Sequence, residues 1–214
     1  PTGPAVVLGS TQPDSVVDTH AAARAGVEVV RRRSGGGAVW VAPDDPIWVD
    51  VLVPRDDPLW NDDVGRAFLP IGRAWQEALA AVGVADGEVH DGPMVRGPWS
   101  DAVCFAGRGP GEVFVGGRKV VGISQRRTRA GARFQCAVPR TWDPEPLRAL
   151  LRPAPPAGSL DTAGAGVGDD GPHALAVGGV GDNDRLAAMS AARGRVGPPP
   201  WPTLGAPMRG ECSL

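Results

Sequence analysis

The spacing of apolar residues along the first part of the chain predicts short strands separated by turns. A run of four apolar residues at 5–8 and a β-branched run at 27–31 are typical of strands buried on at least one face. The runs at 38–41 and 47–53 predict two more strands. We expect an Asp-Pro turn at 43–46 between them, because Asp and Pro favour turn conformations.

Helical spacing predicts three helices. The first covers about 14–25 and the last covers 145–151. A long helix is predicted from Asn61 or Asp62, with apolar positions at Val64, Phe68, Ile71, Trp75, Leu79 and Val82. Pro70 is expected to bend or break this helix, because proline lacks the N–H that an internal helical turn uses.

The later part of the folded region again predicts strands. Short β-type runs lie around 103–105, 112–115, 119–123 and 132–138. Strands therefore outnumber helices and come in pairs that read as hairpins. The predicted fold class is α+β, and a regular parallel βαβ arrangement is disfavoured.

Glycine and proline concentrate at the end of the chain and predict a domain boundary. Residues 153–214 hold 12 glycines and 9 prolines and show no apolar periodicity. Such a segment buries too little apolar area to offset the entropy lost on ordering. We therefore predict a folded domain at 1–152 and a mostly disordered tail at 153–214.

Charge and composition exclude several classes of function. The net charge of −2 over 214 residues argues against a general binder of nucleic acid or membrane surfaces. No apolar run of about 18 residues predicts a membrane-spanning helix, and no signal peptide is visible. The first residue is not Met, which predicts a start further upstream. Three scattered cysteines fit a reduced, cytoplasmic protein better than a disulfide framework.

The segment 31–37, Arg-Arg-Arg-Ser-Gly-Gly-Gly, is the first that can carry chemistry. Glycines let backbone N–H groups approach a ligand, and successive N–H groups form anion-binding nests. The arginines add positive charge suited to phosphate or carboxylate. A flexible hairpin loop with solvated arginines is the alternative. The spacing fits neither a Walker loop nor a dinucleotide fingerprint.

The second such segment is a hairpin that carries the single lysine of the chain, Lys119. The sequence predicts a strand at 112–115, a turn at Gly116-Gly117 and a return strand from 118. Strand alternation would place Lys119, Val121 and Ile123 on one face, and Gly122 would allow a close approach. An ordinary exposed hairpin lysine is the alternative reading.

In this order, the two segments resemble those of the lipoate–protein ligase A family, which shares its catalytic fold with biotin–protein ligases and octanoyltransferases. The resemblance rests on Arg-Arg-x-Ser-Gly-Gly-Gly-Ala-Val and on Gly-Arg-Lys-Val-Val-Gly-Ile-Ser-Gln-Arg-Arg, and it covers about 4–151. It implies a mixed, mostly antiparallel sheet flanked by helices. The implied reaction forms an acyl-adenylate from ATP and lipoate or octanoate, with Mg²⁺. The acyl group then passes to a lysine of a lipoyl domain.

The resemblance also implies roles for individual residues. Lys119 would be the essential lysine at the acyl carboxylate and the α-phosphate, and Glu112 would assist Mg²⁺ or position the site. The nucleotide or acyl group would be bound by Arg32, Ser34, Gly35, Gly36, Gly37, Ala38, Val39, Trp40 and Gly122. The implied acceptors are lipoyl domains of 2-oxoacid dehydrogenase complexes or the glycine cleavage H protein.

Departures from the family pattern leave other reactions open. A His-Asp pair after the glycines is replaced by Val41-Ala42, a His-Gly pair after the hairpin is replaced by Gln135-Cys136, and no accessory C-terminal domain is evident. One alternative is an ATP-independent octanoyl or lipoyl transferase in which Cys104 is the nucleophile and Lys119 assists. A buried structural role for Cys104 also fits. A third reading is a non-catalytic homologue that binds the acyl group or nucleotide.

Overall fold

The computed structural model describes residues 2–168, which form an α+β domain with two sheets. The first sheet has the strand order β2–β1–β3, with β1 (Ala5–Leu8) between β2 (Glu28–Arg31) and β3 (Val39–Val41). Strand β1 runs parallel to β2 and antiparallel to β3. Helix α1 (Thr19–Arg24) connects β1 to β2, which makes this the one parallel pair between the named strands.

The second sheet is antiparallel throughout and has the order β4–β8–β7–β6–β5. Its strands are β4 (Ile47–Pro54), β5 (Glu88–Val89), β6 (Val113–Val115), β7 (Arg118–Arg127) and β8 (Gly131–Val138). The mixed, mostly antiparallel class predicted from the sequence is confirmed. The strand predicted at 103–105 is instead a single 3₁₀ turn, Cys104–Ala106, and β5 was not predicted.

Helix α2 (Phe68–Ala81) begins later than its apolar spacing predicts. Asn61 and Asp62 precede the helix in a turn segment and do not cap it. Pro70 is the third helical residue and does not break the helix, because the first-turn N–H groups have no partner inside a helix. Helix α3 (Glu145–Leu150) lies close to the predicted position. No described helix is long and apolar enough to cross a membrane.

Two apolar clusters hold the domain together. One lies against the first sheet and includes Leu8, Phe105, Trp142 and Leu151; the other fills the second sheet and includes Phe134. Burial of such side chains contributes roughly 1.5–3 kcal/mol each.

Residues 153–168 lie beyond the predicted boundary at 152 and pack on the domain. Leu160 is 1% exposed and Ala165 is fully buried, and each belongs to a different apolar cluster. The folded part of the chain therefore continues at least to residue 168. The remainder of the predicted tail, 169–214, lies outside the described residues.

Helix α2 meets the turn before β6 through two glycines. A Cβ on Gly72 would lie 2.0 Å from the Gly111 carbonyl oxygen, and Gly111 itself has φ +78° and contacts the Phe68 backbone. This approach fixes the turn from which Glu112 extends. Only glycine fits at either position.

We expect Gly72→Ala to destabilise the domain by about 1–3 kcal/mol, because the added methyl group meets backbone and not a movable side chain. Thermal unfolding followed by circular dichroism should show a midpoint several degrees lower. Gly65→Ala is the matched control, since its Cβ would meet only the Asp63 side chain at 3.4 Å. Equal midpoints for the two variants would contradict this account of the packing.

Candidate functional site

The glycine loop, residues 34–37, lies in the connection between β2 and β3 and packs closely on neighbouring backbone. A Cβ on Gly37 would lie 2.5 Å from the Val103 carbonyl carbon, and one on Gly9 would lie 1.9 Å from the Gly36 carbonyl oxygen. Gly36 has φ +98°, in the region that favours glycine. None of the N–H groups of residues 35–37 donates a hydrogen bond to another described residue. Three successive backbone donors of the loop are therefore unpaired among the described residues, a feature that anion nests share.

Two of the three arginines before this loop donate to carbonyl oxygens of the protein. Arg32 is 7% exposed and donates to Val7 at 3.1 Å, Gly35 at 2.7 Å and Gly37 at 2.9 Å. Arg31 donates to the carbonyl oxygens of residues 9 and 12, in the loop after β1, and forms an ion pair with Asp14. Arg32 was expected to line the ligand site. The structure places it behind the loop, where it braces the glycines.

Ser34 likewise faces the protein. It is fully buried, and its hydroxyl lies 2.8 Å from the Ser124 hydroxyl on β7 and donates to Gln135 Oε1 on β8 at 2.7 Å. Gln135 therefore helps to anchor the glycine loop to the second sheet. Ser34 connects the two sheets and does not line the cavity described below.

Lys119 is buried and paired, unlike an ordinary hairpin lysine. It is 1% exposed, and its Nζ lies 2.7 Å from Glu112 Oε2 and 2.7 Å from the Cys104 carbonyl oxygen. The Phe105 and Phe114 ring centroids lie 5.6 and 5.9 Å from Nζ. An ammonium group has three donors. One N–H of Lys119 is therefore left without an acceptor among the described residues.

A β-bulge sets the direction of this side chain. Lys119 pairs with Phe114 whereas Val121 pairs with Val113, so Val120 is the extra residue of β7. Lys119 consequently shares a face with Gly122: a Cβ there would lie 3.8 Å from Lys119 Cδ and 3.4 Å from the Phe105 ring. The predicted grouping of Lys119 with Val121 and Ile123 was wrong, because a bulge reverses the alternation that follows it.

Backbone N–H groups hold both carboxylate oxygens of Glu112, the ion-pair partner of Lys119. Its Oε2 accepts from the Gly109 N–H at 2.6 Å, and its Oε1 accepts from the Ile123 N–H at 3.4 Å. Burial raises the pKa of the Glu112 carboxyl above its ordinary value, and the Lys119 ammonium and these hydrogen bonds oppose that rise. The pair places no net charge beside the glycine loop.

These elements enclose a cavity of about 240 Å³. Its polar wall includes Lys119, Glu112, Ser124 and Cys104. Its apolar wall includes Val64, Phe68, Met94 and Ile123, and Gly35, Gly36 and Gly37 form one side. A cavity with apolar walls and a few convergent polar groups is the usual form of a small-molecule site.

The other predicted binding residues lie outside this cavity. Ala38, Val39 and Trp40 line a second, smaller cavity of about 40 Å³ between β3 and Trp142. Gly122 allows the close approach of Phe105 and lines neither cavity. Of the twelve residues predicted from the sequence, six line the main cavity, namely Cys104, Glu112, Lys119, Gly35, Gly36 and Gly37, and the other six, including Arg32 and Ser34, do not.

The sequence reading missed several wall residues. Phe68 and Val64 were assigned to helix spacing alone, and Gln125 was not singled out. Gln125 lines the cavity, and its Nε2 is buried without a hydrogen-bond partner. Phe68 and Val64 lie at a helix start and in the turn before it, where no contiguous motif marks them. Gln125 lies within the motif that carries Lys119, but the motif alone did not assign it a role.

The two described cysteines differ in environment. Cys104 is half-buried on the cavity wall, whereas Cys136 is fully buried inside the second sheet. Burial raises the pKa of the Cys136 thiol to about 12. Burial lowers the pKa of the Arg32 guanidinium, and a charge interaction with Cys104 opposes that effect. Cys104 thus lies within electrostatic reach of a buried cation.

Comparison with known proteins identifies the family and the fold of the chain. A profile of the lipoyl protein ligase A/B catalytic domain matches residues 2–169. A solved Thermoplasma acidophilum protein with bound lipoic acid is similar, with 19% identity, a TM-score of 0.63 and coverage of 87% of this chain and 66% of its own. No curated protein sequence matches the chain.

Two further solved structures share the fold. A lipoate-protein ligase A bound with ATP has 20% identity and a TM-score of 0.62, over 87% of this chain and 66% of its own. A bipartite lipoate protein ligase of Thermoplasma acidophilum, described with its E2 lipoyl domain, has 19% identity and a TM-score of 0.59, over 88% and 66%. The chain therefore spans about two thirds of the length of these structures.

We expect iodoacetamide at pH 8 to alkylate Cys104 but not Cys136. A thiol with a pKa of about 12 is ionised in only about one molecule in ten thousand at that pH. Peptide mapping by mass spectrometry separates the two sites. Rapid alkylation of Cys136 in the folded protein would contradict the described packing, and the urea-unfolded protein, in which both thiols should react, is the control.

Proposed function

Because the chain belongs to the lipoyl protein ligase A/B catalytic domain family, we propose that it activates lipoate or octanoate with ATP and transfers the acyl group to a lysine of a lipoyl domain. The observation that carries the proposal is Lys119, with one unused N–H on the wall of a cavity that the glycine loop also lines. Acceptors would be the lipoyl domains of 2-oxoacid dehydrogenase complexes or the H protein. The cytoplasmic location stays a prediction.

The proposed first step joins two anions, the carboxylate of the acid and the α-phosphate of ATP. A carboxylate oxygen of the acid attacks the α-phosphorus of ATP, the bond to the β-phosphate oxygen breaks, and pyrophosphate leaves. Negative charge develops on the α-phosphate oxygens. The free N–H of Lys119 and the unpaired N–H groups of residues 35–37 would donate to those oxygens. Fixed donors in a cavity of low polarity stabilise such charge strongly.

The proposed second step releases AMP. The neutral amine of the acceptor lysine attacks the acyl carbonyl carbon, and the bond to the adenylate oxygen breaks. The leaving phosphate again carries negative charge, which the same donors would stabilise. The apolar side of the cavity, with Phe68 and Ile123, would hold the hydrocarbon chain away from water.

The Mg²⁺ that the resemblance implies has no protein-held site among the described residues. Glu112 is the only carboxylate that lines the cavity, and both its oxygens accept protein donors. No group of three potential metal ligands occurs in residues 2–168. Mg²⁺ takes six oxygen ligands, several of them from water and from substrate phosphates, and Glu112 with both oxygens already hydrogen-bonded is a poor further ligand. We therefore assign no step through a metal held by Glu112.

A specific observation favours a second candidate, an ATP-independent transferase. Cys104 lines the same cavity as Lys119, and its own carbonyl accepts from the Lys119 ammonium. In this reaction the Cys104 thiolate attacks an octanoyl or lipoyl thioester and expels the carrier thiolate. The acceptor amine then attacks the new thioester, and Cys104 leaves as thiolate.

ATP–pyrophosphate exchange with lipoate, octanoate and biotin in turn tests the ligase. We expect exchange with lipoate or octanoate, and its loss in Lys119→Ala, because the charge at the α-phosphate then lacks its cation. Removing one member of a buried ion pair costs about 3–5 kcal/mol, so the same assay uses the double variant Lys119→Met with Glu112→Gln, which leaves no buried charge unpaired. Absence of exchange with every acid would refute the ligase reading.

The transferase is tested without ATP. An octanoyl thioester donor and a lipoyl domain should give octanoylated product only if Cys104 is the nucleophile, and mass spectrometry of the unfolded protein should then find an acyl group on Cys104. Cys104→Ser should abolish that transfer while leaving any ATP–pyrophosphate exchange intact. Cys136→Ser is the matched control. Acyl or nucleotide binding with neither reaction would identify a non-catalytic homologue.

A further inference from the structure

Residues 159–168, called the strap below, hold the backbone of Lys119. The Lys119 N–H donates to the Ala163 carbonyl at 3.1 Å, and the Lys119 carbonyl accepts from the Ala165 N–H at 3.0 Å. Lys119 and Gly164 thus form a parallel β-bridge. Both backbone groups of the lysine are occupied by a segment that follows it by more than 40 residues.

The strap also reaches the lysine through side chains. A Cβ on Gly164 would lie 2.6 Å from the Trp142 ring, and the Trp142 indole N–H donates to the Leu160 carbonyl at 3.0 Å. The Trp142 and Phe105 ring centroids lie 5.0 Å apart. Phe105 in turn lies 5.6 Å from the Lys119 ammonium. One continuous set of contacts therefore runs from Gly164 to the charged end of the lysine.

The strap is anchored on both sides of this contact. Leu160 packs in the apolar cluster of the first sheet and Ala165 in that of the second. Beyond them, the Val167 and Gly168 N–H groups donate to the carbonyls of Pro139 and Arg140 at 2.9 Å each. Because the strap is tied to both clusters, its position relative to β7 is fixed where it meets Lys119.

From this arrangement we propose that the strap is a positioning element for Lys119 and that Gly164 and Trp142 are its positioning residues. Gly164 allows the strap to lie flat on the indole, the indole fixes Phe105, and the backbone bridge fixes the Cα of Lys119. The ammonium is thereby held with its free N–H toward the cavity. This inference deepens the proposed function and rests on it for the catalytic consequence, whereas the positioning itself is measurable without any reaction.

The single lysine makes that measurement direct. Protein grown with ¹³Cε-labelled lysine gives one lysine signal, so its chemical shift reports Lys119 alone. We expect Gly164→Ala and Trp142→Leu in the full chain to shift and broaden this signal, because the ring contacts and the buried ion pair both change. Gly168→Ala is the matched control: it disturbs the same strap, with a Cβ 2.8 Å from the Arg140 carbonyl oxygen, but away from Lys119. That variant should leave the lysine signal unchanged.

Activity supplies the second readout. In whichever acyl reaction the wild type performs, Gly164→Ala should lower kcat by about 10- to 100-fold, since a misplacement of about 1 Å at a reacting centre has effects of that order. KM should change less, and Gly168→Ala should keep wild-type kcat. Trp142→Phe keeps a ring beside Phe105 and should restore most of the activity that Trp142→Leu loses.

The outcomes separate the two proposals. If the lysine signal is the same in Gly164→Ala, Gly168→Ala and the wild type, the strap does not position Lys119, whatever the activity. If Gly164→Ala and Gly168→Ala perturb the signal equally while unfolding at the same temperature, the strap acts only as general structure, and the inference is overturned. A selective shift in a protein without acyl activity would uphold the positioning and refute the proposed function.

Discussion

The buried pair of Lys119 and Glu112 is the constraint on which the rest of the site depends. Two charges with side chains 1% and 5% exposed are far from water, and desolvation of each ion costs several kcal/mol. The cost is offset by hydrogen bonds to the other groups of the pair, and one N–H of Lys119 is the exception among the described residues. Gly109, Ile123 and the Cys104 carbonyl supply those hydrogen bonds, and each comes from a different part of the chain. The turn before β6, strand β7 and the 3₁₀ turn must therefore all be in place before the pair is stable.

Glycines make this convergence possible by removing side chains where backbones meet. Gly72 and Gly111 bring helix α2 against the turn that carries Glu112, and Gly37 brings the glycine loop against Val103, next to Cys104. Each contact leaves less than 3 Å for a Cβ. The glycines of this domain are therefore explained in part by packing around the site. Within the glycine loop, Gly37 packs against backbone, whereas Gly36 is exposed and its N–H has no acceptor among the described residues.

Particular residues show how far sequence reasoning reaches. Most of the strands and the hairpin that carries Lys119 follow from apolar spacing and from two contiguous motifs, whereas the catalytic role of Lys119 stays a prediction. The direction of Lys119 does not, because a one-residue bulge at Val120 depends on pairing with β6 and leaves no mark in the alternation itself. The bracing role of Arg32 was missed for a similar reason. An arginine beside glycines suits an anion, but the Arg32 guanidinium donates to three carbonyl oxygens of the protein instead. Likewise, glycine-rich composition predicted disorder after residue 152, where Gly164 instead allows contact with Trp142.

Neutrality of the lysine–glutamate pair has a consequence for substrate choice. A site that received anions through an uncompensated lysine would bind any small acid, since Coulomb attraction is not directional. Here Glu112 balances Lys119, whereas Arg32 behind the glycine loop has no carboxylate partner among the described residues. The Lys119–Glu112 pair itself therefore adds little attraction at long range, and its contribution comes from short-range donors beside the apolar wall. The one free N–H of Lys119 and the glycine-loop N–H groups would bind only an oxygen within hydrogen-bond distance. The apolar wall of Phe68 and Ile123 would bind a hydrocarbon chain that brings the oxygen to that distance. A carboxylic acid with a hydrocarbon tail, which is the substrate class proposed above, would satisfy both conditions, whereas a small hydrophilic anion would satisfy only the first.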